Sequence, residues 1–310
     1  MPTSSIEADN DYVTITDAVI QRGYKNCITT SRKFFSSAAF MTANLPSEKR
    51  KAIAAVAWHL LRCADFLTLE SFDGLSLDIW KENLNDLSDT FSGKCRTAED
   101  AALADAVKRF QIPKEHLFEM MTAADAWIRN RKFETHEQLD LFAAKFGGSM
   151  MAAAVPILSD RSMEDFKPTI HCGQAIHLTH MLANLIPNLK QHQSFYATDD
   201  VERSGLSITR TMMRQSSPEL KQFVRLQTSR IEKHFIVGGQ LVNHLDFGGK
   251  RTLSSLLDYH WALFTKMRAN PDSILQVGGV LNQRERLQLR TRHMMGTEGK
   301  SPIIGVSEHH

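Results

Sequence analysis

The sequence predicts an all-α fold built as one domain. Its 310 residues include only 16 glycines and 9 prolines, whereas average usage of these two turn-forming residues would give about 37. Apolar residues recur at intervals of three and four along most of the chain, as on helices with one buried face, and no alternating run long enough for a β-strand occurs. We expect a helical domain over residues 13–295, with flexible ends at 1–12 and 296–310.

Composition excludes several classes of protein. With 42% hydrophobic and 23% charged residues, the chain is not intrinsically disordered. The 37 Lys and Arg residues nearly balance 35 Asp and Glu residues, so no basic surface for nucleic acid is expected. The four cysteines form no CxxC pair, which favours reduced core thiols over a zinc site. The polar start and the lack of an 18-residue apolar run predict a cytoplasmic protein without a membrane-spanning helix.

In the first half of the chain, turn formers and caps separate the helices. An amphipathic segment covers about Ile15 to Ala43, and Ser47 is a suitable cap for a long helix through AIAAVAWHLLRCADFL. SLDIWKENLNDL carries apolar residues at helical spacing, and Thr97 precedes AEDAALADAVKRF. Pro113 favours the first turn of a helix through HLFEMMTAADAWI.

The second half continues the helical pattern. THEQLDLFAAKF leads through the pair Gly147 and Gly148 into MMAAAVPIL. A helix follows from about Met163 to Leu182, with a kink or stop at Pro187. Later helices cover about Pro218 to Leu241 and Thr252 to Arg268, and LNQRERLQLRTRHM forms a last, basic helix.

The segment HCGQAIHLTHMLANLIPNLKQ combines an apolar helix with one stripe of uncharged polar side chains. Its intervening positions are mostly apolar, the reverse of a surface helix, which has a narrow apolar stripe on a polar background. We therefore expect a buried helix whose polar stripe lines a cavity, and the alternative is a surface helix rich in neutral polar residues. The stripe consists of His171, Gln174, His177, His180 or Met181, Asn184, Asn188 and Gln191, spaced three or four apart.

A second face lies on the helix that precedes residue 70. His59, Arg62, Asp65 or Phe66, and Glu70 share one side of it. Arg62 and Asp65, three residues apart, have the spacing of a simple surface ion pair. In the functional alternative, both side chains project into the cavity that the polar stripe lines.

Several segments keep the order and spacing of one known family. LPSEKRKAIAAVAWHLLRCADFL resembles the segment of squalene and phytoene synthases with the first Asp-rich motif, and RKFETHEQLDLFAAKFGGSMMAAAVPIL resembles their Tyr-Glu-Thr stretch and small-residue helix. HLTHMLANLIPNL stands where the family has Gln-Leu-Thr-Asn-Ile-Leu-Arg-Asp-x-x-x-Asp, and DDVERSGLS resembles Asp-Leu-Glu-Arg-Phe-Gly-Ser. The resemblance runs from about Tyr24 to Ser207. It implies an isoprenoid-synthase-like helical bundle around a central apolar cavity.

The chain departs from this family at the acidic motifs. In the family, two Asp-rich motifs hold magnesium ions that bind the substrate diphosphate, because magnesium takes oxygen ligands. Here Asp65 keeps a first-motif position, Phe66 replaces the adjacent acid, and Glu70 lies one place beyond the last one. Asn184 and Asn188 occupy both acidic positions of the second motif. The resemblance therefore implies a weakened magnesium site, with Asp65 and Glu70 as the remaining candidate ligands.

The polar faces and the resemblance together define a candidate site. Ser37 matches an early serine of the family, and Asp200 keeps its place in DDVERSGLS. The candidate catalytic residues are Arg62, Asp65, His177 and His180. The candidate substrate-binding residues are Ser37, His59, Phe66, Gln174, Asn184, Asn188 and Asp200.

Three functions fit these residues. The first is a transferase that uses a prenyl diphosphate but has an altered acceptor or metal dependence, and is not a standard squalene or phytoene synthase. The second is a non-catalytic member that binds an isoprenoid or another apolar ligand, or serves as an assembly partner. In the third, His177 and His180 with Asp65 form a two-histidine, one-carboxylate transition-metal site; histidines that hydrogen-bond within the cavity wall are the simpler explanation.

The basic segment from about Arg284 to Arg292 is a candidate for peripheral membrane contact. A basic amphipathic helix attracts anionic lipid, and isoprenoid substrates are themselves lipids. A solvated surface helix is the alternative.

Overall fold

The computed structural model describes residues 12–34, 41–67, 74–130, 132–160, 167–190, 195–277 and 280–296, apart from the side chains of residues 65, 66, 74–79, 81 and 83. This part of the chain contains helices and loops but no β-strand, which confirms the all-α prediction. The α-helices are α1 (Asp17–Phe34), α2 (Ser47–Leu67), α3 (Gly74–Phe91), α4 (Ala98–Phe110), α5 (Lys114–Asn130), α6 (His136–Ala143), α7 (Ser149–Leu158), α8 (Lys167–Ala183), α9 (Leu185–Lys190), α10 (Thr198–Ser204), α11 (Ile208–Met212), α12 (Pro218–Gly238), α13 (Phe247–Ala269) and α14 (Gln283–Met294).

Local sequence sets several helix starts through side-chain caps. At the start of α4, Thr97 Oγ1 accepts a hydrogen bond from Asp100 N, and Asp100 Oδ2 accepts one from Thr97 N, both at 3.1 Å. This reciprocal pair satisfies two of the N–H groups that a helix start leaves unbonded. Helix α13 begins at Phe247 rather than at the predicted Thr252. Gly248 and Gly249 in its first turn have poor helix propensity and hid the true start.

A π-helical turn, Ala144–Gly148, joins α6 to α7, so one continuous helix runs from His136 to Leu158. By length and composition alone this helix could span a membrane, but 72% of its apolar window is buried inside the protein. That degree of burial is typical of a core helix, and its second half packs against α2, α5 and α8.

Helix α8 lies against α6, α7, α12, α13 and the π-helical turn. It approaches the turn so closely that a Cβ atom on Gly173 would lie 2.1 Å from the carbonyl oxygen of Gly147. Gly238 of α12 makes a similar approach, since a Cβ atom there would lie 2.4 Å from the backbone nitrogen of Cys172. Backbone therefore contacts backbone at both places, and only glycine fits there.

The helical path is interrupted at Asn184, between α8 and α9. Pro187 has no N–H to donate to the carbonyl of Ala183, four residues before it. The next bond re-forms, because Asn188 N donates to Asn184 O at 3.0 Å. The interruption confirms the predicted kink.

The predicted basic helix near the end of the chain is α14, but it is not amphipathic. Its residues are exposed on most sides and only His293 is buried. Leu287 and Met294 are 62% and 71% exposed, so the helix has no single apolar face buried against the bundle. Membrane contact by this helix stays a prediction.

Replacing Gly173 with alanine should destabilise the fold strongly. The added methyl group would overlap the Gly147 carbonyl, and overpacking a rigid contact of this kind costs about 1–3 kcal/mol or more. We expect the free energy of unfolding, measured in urea, to fall by at least about 2 kcal/mol.

Gly248→Ala is the matched control for that experiment. A Cβ atom at Gly248 meets only ordinary contacts, the nearest at 3.4 Å, and alanine is favoured over glycine in a helix by about 0.5–1 kcal/mol. The two variants should therefore shift stability in opposite directions, and equal effects would contradict the proposed close contact.

Candidate active site around helix α8

Two histidines of the polar stripe, His177 and His180, lie in the second half of α8. The ring of His177 packs beside those of Phe142 and Phe146, with centroid distances of 5.7 and 5.3 Å. His180 keeps much accessible surface, yet protein atoms surround it closely enough that desolvation lowers the pKa of its imidazole. That these two histidines line a cavity stays a prediction.

Both histidines are neutral at pH 7. Burial, followed by the nearby charge of His180, lowers the pKa of His177 to about 3. Burial also lowers the pKa of His260 on α13 to about 4, and the charge of His180 adds to this effect, so these imidazoles lie near one another. Within the described part of the chain, Nε2 of His177 has no hydrogen-bond partner. Each neutral imidazole has one ring nitrogen that donates and one that accepts a hydrogen bond.

Asn184 and Asn188 follow these histidines at the end of α8 and in α9. Both are partly buried, and Asn184 Nδ2 donates to the backbone oxygen of His180 at 2.8 Å. They bring neutral amides to positions that the resemblance assigns to magnesium-binding acids, and magnesium sites depend on ligand charge. The weakened magnesium site stays a prediction. No group of three or more His, Cys, Asp or Glu residues within the described ranges could hold a metal ion.

Arg62 on α2 is held between two carboxylates. Its Nη1 lies 3.1 Å from Asp100 Oδ1, and its Nη2 lies 3.6 Å from Asp86 Oδ2. The ring of Trp58 lies 5.6 Å from the guanidinium carbon. Two acids therefore already balance the charge of Arg62, which limits what it can offer to an anionic ligand. Its catalytic role stays a prediction.

His59 belongs to the protein interior rather than to a ligand surface. It is fully buried, and its Nε2 contacts the backbone oxygen of Leu117 on α5 at 3.1 Å. The prediction of direct substrate contact is therefore not supported, because the side chain has no accessible surface.

Four other predicted residues lie outside the description, entirely or by their side chains. They are Ser37, Asp65, Phe66 and Glu70.

His171 and Gln174 take part in a series of polar contacts between helices. His171 Nδ1 lies 2.9 Å from His234 Nδ1, and His234 Nε2 lies 3.0 Å from Asp140 Oδ1. Gln174 Nε2 donates to the same carboxylate oxygen at 3.1 Å. Burial alone would raise the pKa of Asp140, but its hydrogen bond from His234 and the nearby imidazoles lower it. These polar contacts hold α6, α8 and α12 together. Gln174 therefore positions these helices and is not the predicted substrate contact.

Asp200 is likewise a buried anchor. It has no accessible surface, forms an ion pair with Arg230 and accepts a hydrogen bond from Gln227 Nε2 at 2.9 Å. His136 Nδ1 lies 3.8 Å from the same carboxylate oxygen. These contacts tie α10 to α12 and to the start of α6. Direct substrate binding by Asp200 is not supported, because its partners enclose it.

The sequence analysis missed the residues that complete these two clusters. Gln227, Arg230 and His234 follow one another at helical spacing on α12, so the spacing rule that identified the stripe on α8 would also have found them. His136 and Asp140 lie one turn apart on α6. Their common signal is polar residues at steps of three or four among apolar neighbours.

The family model and the curated relatives that match this chain belong to the same family. The model of the squalene/phytoene synthase family matches residues 31–293. Phytoene synthase 3 of Zea mays is 22% identical over 228 residues, which cover 71% of this chain and 53% of the relative. Phytoene synthase of Arthrospira platensis is 22% identical over 71% of this chain and 75% of the relative. The chain spans about half to two thirds of the length of the plant relatives with the strongest matches.

Solved structures share the fold. A dehydrosqualene synthase in complex with a ligand has a TM-score of 0.77 and 17% identity, over 89% of this chain and 97% of that chain. A squalene synthase from Alicyclobacillus acidocaldarius has a TM-score of 0.71 and 16% identity, over 82% and 96% of the two chains. The isoprenoid-synthase-like bundle is therefore confirmed.

The buried His59 should make the protein sensitive to acid. Burial lowers its pKa to about 4, below the ordinary 6.5, so the folded state binds fewer protons than the unfolded state between these two values. Stability is full above pH 6.5 and falls as pH drops through this window. At pH 5 the loss from this one group is about 2 kcal/mol.

Urea unfolding at pH 7 and pH 5 measures this loss. His59→Gln keeps a donor for the Leu117 carbonyl but cannot titrate, so its stability should change less between the two pH values. His244→Gln, at an exposed position, should behave like the parent. Identical pH dependence in all three proteins would refute the assignment to His59.

Proposed function

We propose that this chain, which belongs to the squalene/phytoene synthase family, transfers a prenyl group from a prenyl diphosphate to an acceptor that carries a removable proton. The observation that carries the proposal is the pair of neutral imidazoles in the second half of α8, His177 and His180. They stand where HLTHMLANLIPNL replaces the glutamine and asparagine of the family pattern. An unprotonated imidazole nitrogen can act as a general base during the reaction, which an amide cannot do, and the more exposed His180 is the better placed of the two.

In the proposed reaction, each bond that forms or breaks and the proton that is lost are accounted for. The acceptor heteroatom forms a bond to C1 of the prenyl chain while the C1–O bond breaks, and diphosphate leaves with that electron pair. The proton of the acceptor passes to the unprotonated nitrogen of His180, which has accessible surface. His177, packed against Phe142 and Phe146, fixes the apolar wall beside the reacting chain. A heteroatom acceptor, in place of a second prenyl chain, distinguishes this reaction from head-to-head coupling.

The same proposal includes an altered metal dependence. In the family pattern, magnesium offsets the charge of the diphosphate between two acidic motifs, whereas Asn184 and Asn188 contribute no charge. Losing charged ligands weakens magnesium binding in oxygen sites. We therefore expect no magnesium-dependent synthesis of squalene or phytoene at ordinary rates. Asp65 and Glu70 remain the candidate acids of the other motif.

A second candidate is a non-catalytic member that binds an isoprenoid, or a partner protein, without chemistry. The pairing of Arg62 with Asp86 and Asp100 favours it, because that cation is already neutralised. Turnover separates the two candidates, since a binder takes up the diphosphate and never releases inorganic diphosphate.

Removing the proton acceptor should reduce turnover far more than binding. With geranylgeranyl diphosphate and a panel of amine, alcohol and thiol acceptors, His180→Asn should slow diphosphate release by about 10²–10⁴-fold. The substrate dissociation constant should change little, because the asparagine of the family pattern keeps the polar wall. Release is measured with a coupled diphosphate assay and affinity by calorimetry.

His244→Asn, at an exposed position, is the control for that experiment and should leave turnover unchanged. Release that is equally fast in the parent and in His180→Asn would contradict the role of His180. Binding without release for every acceptor would instead favour the non-catalytic candidate.

Restoring two acids should create magnesium dependence. Asn184→Asp with Asn188→Asp supplies the missing charges, so farnesyl or geranylgeranyl diphosphate with magnesium should raise the Tm by about 5 °C. The parent should respond equally with and without magnesium. Differential scanning fluorimetry measures all four combinations for each protein.

Asn243→Asp with Asn270→Asp adds the same charge at exposed positions and serves as the control. It should show no magnesium-dependent shift. A parent protein that already requires magnesium would contradict the altered dependence, as would a restored variant that gains no response.

A further inference from the structure

A pocket opens between α5 and α6, and Phe142 belongs both to its lining and to the rings beside His177. Its volume is about 310 Å³, at the lower end of the range for small-molecule sites. Trp127, Phe133 and Phe142 supply its aromatic wall, and Ala123, Ala126 and Leu141 also line it. These lining residues suit the short hydrocarbon chain of a ligand.

The opening of the pocket carries positive charge. Lys132 and Lys145 belong to its lining and are exposed to solvent. Glu134 also belongs to the lining and pairs with Lys132. Lys145 therefore contributes the net charge at the rim, where an anionic group would meet it.

One polar atom of the pocket residues is left unsatisfied. The indole nitrogen of Trp127 is buried and has no hydrogen-bond partner within the described residues. Its ring is held by Phe195 and Phe133, at centroid distances of 4.5 and 4.9 Å, so it cannot readily turn to find one. A buried N–H donor without an acceptor is unfavourable.

We propose that this pocket binds a small amphiphilic anion, with a short hydrocarbon body against the aromatic wall and a carboxylate or phosphate head at Lys145. The volume, the aromatic wall and the basic rim together exclude a large or cationic ligand. The proposal does not depend on the proposed function, because it assigns no role to His177, His180, Asn184 or Asn188.

Calorimetric titration of the full chain with octanoate, octyl phosphate and octanol tests the proposal. Octanoate and octyl phosphate carry the two head groups and octanol carries none, so at least one anion should bind at least tenfold more tightly than octanol. The tighter of the two anions identifies the head group. Equal affinity for all three compounds would overturn the proposal.

Two variants locate the binding. Ala126→Phe fills the pocket from an exposed position, so the fold should persist while anion affinity falls at least tenfold. Lys145→Gln should weaken the anions but not octanol. Ala269→Phe and Lys233→Gln make the same changes at exposed positions elsewhere and should bind like the parent. Unchanged anion affinity in both pocket variants would assign the binding to another cavity and overturn the proposal.

Discussion

The arrangement of this protein depends on the contact between two stretches of bare backbone. Gly173 of α8 meets Gly147 of the π-helical turn at a separation that leaves no room for a single methyl group. This contact fixes how deeply α8 enters the bundle. It also fixes the distance between the histidines on α8 and the aromatic rings on the neighbouring helix, because both sets of side chains extend from the two backbones that touch.

Around this contact, α8 divides its polar residues between two tasks. Its first two turns present His171 and Gln174 to Asp140 and His234, where neighbouring helices satisfy every named partner. Its later turns carry the imidazoles that we expect to line an apolar cavity. A polar group that is fully bonded to protein stabilises the packing, whereas an imidazole held neutral beside accessible space is available for chemistry. The boundary between structure and candidate function therefore falls within one helix.

Local patterns predicted the elements but not their partners. Thr97 and Pro187 act on residues within four positions, so their effects on helix ends follow from the sequence. The partners of Arg62 come from α3 and α4, and those of Asp200 come from α6 and α12. Such contacts depend on how helices cross, which a periodic pattern does not encode. For the same reason His59 and Gln174 fit the predicted polar faces but face protein, while the expectation that His177 and His180 line a cavity stays a prediction.

The π-helical turn also sets the rotation between the two halves of the long helix. Each residue of an α-helix turns the chain by about 100°, and a π-helical turn holds one residue more than an α-helical turn would. The side of α6 that carries Asp140 and the side of α7 that faces the core are therefore rotated relative to each other about the axis of the continuous helix. Without the extra residue, a straight α-helix could not aim Asp140 at His234 and keep the same face of α7 towards the core. The π-helical turn thus sets the angle between the side of α6 that carries Asp140 and the side of α7 that packs in the core.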